Sequence, residues 1–136
     1  MGQATAIVPE YGVRARYNGT GSDIAANVAV MLDSTSKYIK LPSSNAVALH
    51  GVTRAAIANG KWGDVQVSGV ALVKASGALA TPGIQLMSDT AGKAVTFAAA
   101  SGVNAQVLGQ LLTTGSALND LVEVELLGLG TIQQGQ

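Results

Sequence analysis

The chain has 136 residues, enough for one domain with a sizeable core, and its eight basic and eight acidic side chains cancel. That balance argues against a nucleic-acid-binding surface or a polybasic membrane patch, and the absence of cysteine excludes disulfides, thiolate metal sites and cysteine nucleophiles. With 48% apolar and only 12% charged residues, the chain is expected to cover part of its surface with something other than water, as an oligomer or an assembly component does.

In chain order, the first stretch, MGQATAIVPEYGVRAR, lacks the basic n-region and long apolar h-region of a secretory signal, and no apolar run approaches the roughly 20 residues of a membrane helix. The reading is a soluble chain made in the cytoplasm. Residues 1–23 read as an extended N-terminal arm. Ile7 and Val8 end a short apolar piece stopped by Pro9; from Tyr11 the residues alternate, with Tyr11, Val13, Ala15 and Tyr17 on one face and Gly12, Arg14 and Arg16 on the other. Asn18-Gly19-Thr20-Gly21-Ser22 then reads as a flexible break, and its match to the glycosylation triplet reads as a turn. An arm with so few bulky residues would order best against a partner.

Residues 24–127 carry the regular part. Val28, Val30 and Leu32 alternate with Ala29 and Met31, Asp33-Ser34-Thr35-Ser36 supplies turn chemistry, and Ile39 and Leu41 return, which predicts a hairpin ended by Pro42. A helix capped by Ser22 competes for the same residues, but the β-branched content and the turn cluster favour strands. Val47 to Arg54 predicts another strand. In Gly63 to Gly77, Val65 and Val67 share one parity and the larger apolar residues then continue at Val70 and Leu72 in the other, which predicts a bulge or tight turn at Ser68-Gly69. Further strands are expected over Ile84–Met87, Lys93–Phe97, Gln106–Thr113 and Leu121–Leu127, the last with Val122, Val124 and Leu126 inward and Glu123 and Glu125 outward. Turns about every ten residues predict an all-β fold, a compact antiparallel β-sandwich or small β-barrel. Residues 128–136 read as a loose C-terminal tail.

Candidate chemistry is sparse. His50 is the single histidine, in a strand-like run without a carboxylate or nucleophile at a suggestive spacing, and reads as a strand or edge residue. The aspartates fall singly in turns, where they serve the backbone. Gly19-Thr20-Gly21-Ser22 and Gly128-Leu129-Gly130 lack the Lys-Ser/Thr ending and third glycine of phosphate loops. No catalytic residue, metal ligand or cofactor is assigned. The five aromatics, Tyr11, Tyr17, Tyr38, Trp62 and Phe97, do not cluster in sequence into a stacking platform, which disfavours a carbohydrate-binding sandwich. Charge does carry a pattern: residues 1–63 hold six basic and three acidic side chains, and the rest of the chain compensates. Arg14 and Arg16 mirror Glu123 and Glu125, each pair spaced two apart on a strand. Either they are solvated faces, or the arm adds to a neighbour's sheet edge with charge setting its register. Trp62 either plugs the core or makes an inter-subunit contact.

The succession of HGVTRAA, GDVQVSGVALVKASG, the turn in SDTAGKAVTF, NAQVLGQLL and a closing VEVEL resembles the small capsid decoration, or cement, proteins of tailed phages, over about residues 24–127. The resemblance rests on Gly51-Val52, on Gly63-Asp64 leading into Gly69-Val70, on the Asp89-Thr90-Ala91-Gly92 turn and on Leu108-Gly109, where the family has Ile-Gly. It implies a non-enzymatic β-rich module on the outer face of an icosahedral head. Its partners would be the major capsid protein and, in a homotrimer, further copies of itself, with neither nucleic acid nor membrane involved. The expected capsid contacts lie in the arm, at Ile7, Val8, Tyr11, Val13, Arg14, Arg16 and Tyr17. Trp62, Glu123 and Glu125 are candidates for contacts between subunits. A tail or head-fibre base module is the alternative within the same structural class.

Overall fold

The computed structural model describes residues 12–44, 47–98, 104–127, 129 and 132–134, and among these the regular structure is entirely β. Five strands close a barrel in the order β1-β3-β2-β4-β5: β1 (Val13–Asn18), β2 (Ala29–Leu32), β3 (Tyr38–Lys40), β4 (Gly51–Thr53) and β5 (Trp62–Gln66). A second sheet has the order β6-β11-β10-β7-β8, from β6 (Val70–Lys74), β7 (Gln85–Ser88), β8 (Ala94–Thr96), β10 (Gly109–Leu111) and β11 (Leu121–Glu125). A short pair joins β9 (Asn104–Gln106) to β12 (Ile132–Gln134).

The alternation of β2 explains how barrel and sheet share one wall. Val30 points into the barrel with Ile24, Val28, Ile39, Ile57 and Val65, all buried. Its neighbour Ala29 faces the other way, opposite Val52 of β4, and both join the core of the second sheet, where Val73, Leu86, Leu108, Leu111, Val122 and Val124 are fully buried. A strand apolar on both faces is what burial between two cores requires. Each Val, Leu or Ile side chain among them contributes about 1.5–3 kcal/mol when removed from water. The β7–β8 turn is fixed onto that wall. Asp89 accepts from the backbone N–H of Ala91 and Lys93, Ala29 N–H donates to Gly92 O at 2.7 Å, and Gly92 has φ +79° with no room for a side chain against the Ala29 backbone.

The expected hairpin is present as β2 and β3, with Met31 opposite Lys40 and Leu32 opposite Ile39. Several details depart from expectation, each for a physical reason. The sheet is not wholly antiparallel, because β1 runs parallel to β3. Ser68-Gly69 is the turn that carries the chain from barrel to sheet, with Gly69 at φ +81°, and the inward parity does not switch there. Ala71 and Val73 face the core opposite Val124 and Val122, which leaves the bulkier Val70 and Leu72 exposed, opposite Glu125 and Glu123.

The division of the chain also changes. Residues 12–23, assigned to a detachable arm, belong to the barrel: β1 pairs along its length with β5, from Val13 opposite Gln66 to Tyr17 opposite Trp62. The break after it is a hydrogen-bonded loop. Asn18, fully buried, donates through Nδ2 to Ser22 O and Ile57 O, both at 2.8 Å, and its Oδ1 accepts from the N–H and hydroxyl of Thr20. The tail read as loose returns as β12, which supplies the backbone partners that β9 lacks on that side. Ile7, Val8 and Tyr11 lie outside the described residues.

Candidate interaction surface

Barrel closure brings together aromatics that are distant in sequence. Because β1 lies between β3 and β5, Tyr17 stands opposite both Tyr38 and Trp62. The Tyr17 and Tyr38 ring centroids are 4.6 Å apart at 46°, and those of Tyr17 and Trp62 are 5.5 Å apart at 60°. Those separations suit tilted aromatic pairs. Trp62 nevertheless remains 57% exposed, so it does not plug the core. The expectation that the aromatics stay apart is therefore corrected for three of the five. Gly19 permits the cluster, since a β-carbon there would stand 2.8 Å from the Tyr38 ring. On either side, Lys37 O accepts from Tyr17 N–H and Lys61 O from Asn18 N–H, which sets two exposed lysines beside the rings. Asp64 lies two residues beyond Trp62 on the same face of β5.

Arg14 and Arg16 occupy the opposite face of β1, as their alternation predicted. Arg14 stands opposite Val65, whose side chain fills the barrel, and Arg16 opposite Gly63. Arg16 Nε–H donates to His50 Nε2 at 2.9 Å, so the imidazole is neutral with its proton on Nδ1. Burial first, then the guanidiniums of Arg16 and Arg14, hold His50 below its ordinary value of 6.5. His50 is thus a half-buried strand-edge acceptor, without a carboxylate or hydroxyl partner among its described contacts.

Glu123 and Glu125 lie in the other sheet. They form part of an outward face with Val70 opposite Glu125 and Leu72 opposite Glu123, and with Leu112 and Leu121 alongside. Val70, Leu72 and Leu121 are each nearly half exposed. The arginine and glutamate doublets thus sit in separate sheets of one chain. Charge follows the same division. Within residues 12–66, Arg14, Arg16, Lys37, Lys40, Arg54 and Lys61 face Asp23, Asp33 and Asp64, a positive surplus; within residues 70–127, Lys74 and Lys93 face Asp89, Asp120, Glu123 and Glu125, a negative one.

Two concave sites flank the second sheet. The cleft between barrel and sheet, about 300 Å³, has Arg54 as its charged residue among Thr53, Gln66, Val70 and Leu72. Another of similar size beside β10 is lined by uncharged residues, among them Gln85, Val107 and Gln110. Among the described residues no group of three or more His, Asp or Glu is placed to hold a metal ion. Sequence reasoning missed the aromatic cluster because its signal lies in the non-local pairing of β1 with β3 and β5, which no local alternation encodes.

Among solved structures, the chain is similar to the N base of head fiber gp8.5 of bacteriophage phi29, with 14% identity and a TM-score of 0.64, covering 87% of this chain and 95% of that one. At that identity the likeness is one of fold. No curated protein sequence matches. The phage cement protein family model matches residues 11–126, from the first barrel strand through the last strand of the second sheet, and the chain belongs to that family.

Proposed function

We propose that the chain is a capsid decoration protein that binds the outer surface of the mature icosahedral head and bridges neighbouring major capsid subunits, without enzymatic activity. The observation that carries this reading is the family match across both halves of the fold. The surfaces are compatible with it, because they combine exposed aromatic and aliphatic residues with single charges. Cement acts by mass action: a protein that binds only the mature lattice stabilises it in proportion to occupancy, and contacts to two subunits at once raise the effective affinity. The shell contacts assigned to the chain are Ile7, Val8 and Tyr11 in the segment before β1, with Val13, Arg14, Arg16 and Tyr17 on β1 itself. A homotrimer is the assembly assigned to it.

The test is co-sedimentation with mature, DNA-filled heads. Full-length chain should pellet to saturation, and a chain lacking residues 1–11 should bind more weakly while keeping its fold. Failure of the full chain to pellet overturns the reading. The fold likeness to a head-fiber base favours a second reading, a base that carries a further fibre. It predicts few copies per head, where decoration predicts saturation in proportion to the lattice.

A further inference from the structure

We propose that copies of this chain join head to tail, the outer face of the second sheet in one copy docking on the aromatic patch of the barrel in the next. The proposal deepens the decoration reading, on which it rests for self-association. It follows from two uncovered surfaces of opposite character. On the sheet, Val70, Leu72, Leu112 and Leu121 surround Glu123 and Glu125. On the barrel, exposed Trp62 with Tyr17 and Tyr38 is flanked by Lys37 and Lys61. Each supplies apolar area with charge at its margin, and the charges are complementary: Lys37 and Lys61 against Asp64 on the patch, Glu123 and Glu125 against Lys74 on the sheet face, with Arg54 in the cleft that Val70 and Leu72 also line. Aromatic and aliphatic residues at the centre with charge confined to the rim is the anatomy of a protein interface.

The β6 edge of the sheet is already engaged by the barrel, which favours docking through the face. Along β6, Asn27 Nδ2 donates to Leu72 O at 3.1 Å, Gln66 Nε2 donates to Val70 O at 2.8 Å, and Lys74 N–H donates to Asn27 O at 2.8 Å. These contacts occupy edge groups that an added strand would need. The two surfaces differ, so the contact is heterologous, and such contacts close into a ring when the rotation permits.

The experiment is a charge exchange read by light scattering over a concentration series, with circular dichroism melting to verify folding. Wild-type chain should show mass above the monomer, decreasing as salt is raised. The variants Glu123→Lys/Glu125→Lys and Lys37→Glu/Lys61→Glu should each weaken association at least tenfold, and the chain carrying all four substitutions should regain it. A monomeric wild type, unchanged mass in both double variants, or no recovery in the fourfold variant overturns the proposal. Pelleting with mature heads separates the two readings. If wild type is monomeric and Glu123→Lys/Glu125→Lys alone abolishes pelleting, the face meets a capsid subunit and self-docking is wrong. If the charge exchange works but no chain pellets, docking stands and decoration fails.

Discussion

Replacing Asn18 tests whether the segment before Ile24 belongs to the barrel or hangs free of it. The side chain is fully buried and makes four hydrogen bonds, to Ser22 O, Ile57 O and the N–H and hydroxyl of Thr20. In Asn18→Ala all four are lost, but not all partners are stranded. Ile57 O keeps the bond from Ile24 N–H at 3.0 Å, and Ser22 O, 2.9 Å from the Thr20 hydroxyl, takes the proton that Asn18 Oδ1 no longer accepts. Thr20 itself is exposed, so water replaces its contacts. With about 0.5–1.5 kcal/mol net for each bond, weighted towards the low end for the solvated ones, the loss comes to about 2–3 kcal/mol. Asn18→Asp should cost at least as much, because it sets a carboxylate against the two carbonyl oxygens that Nδ2 now serves. The assay is urea unfolding, read as a lower midpoint at unchanged slope. A change below about 0.5 kcal/mol would refute the reasoning, since it would mean that the loop contributes no more than a flexible linker.

Other expectations follow from the same contacts. Gly92→Ala, which meets both a positive φ and the Ala29 backbone, should lower stability by more than about 2 kcal/mol, whereas Gly21→Ala, with φ +93° but open space around it, should cost about 1 kcal/mol; thermal melts of the two variants compare them directly. Because burial and the neighbouring guanidiniums lower the His50 pKa in the folded chain, the unfolded chain binds its proton more readily. Stability is therefore full above the unfolded value of 6.5 and falls as pH drops below it, until folded His50 also protonates; urea midpoints across pH should show this for wild type, and His50→Gln should remove that part of the slope. Removing residues 1–11 should leave a cooperative unfolding transition, whereas removing residues 1–18 deletes β1 and should abolish it, as circular dichroism melts would show.

What the sequence made legible was local. The β2–β3 hairpin follows from a turn cluster between alternating runs, and Val122 and Val124 are fully buried while Glu123 is exposed, as their alternation requires. Alternation could not say which of two apolar parities faces inward. In β6 both are apolar, and the inner one is the smaller pair, Ala71 and Val73, because they meet Val124 and Val122 across a closely packed core. For the same reason an apolar exposed face was hidden in what read as core sequence. The limits of the arm were misread because Val13–Asn18 is poor in large aliphatics and is held instead by main-chain pairing with β5 and by Asn18, whose polar bonds look like loop chemistry until their partners at Ile57 and Ser22 are known. The candidate surfaces were legible only residue by residue. Trp62, Glu123 and Glu125 could be singled out from sequence, but their company depends on strand order.

The central claim is that this chain reinforces a phage head, and the most direct measurement is the temperature at which mature, DNA-filled heads disrupt and release their DNA, with and without saturating chain. Reinforcement by the chain should give a higher disruption temperature that rises with occupancy and returns to the bare value when the chain is washed off. Heads that carry the chain at saturation and yet disrupt at the bare temperature would contradict it.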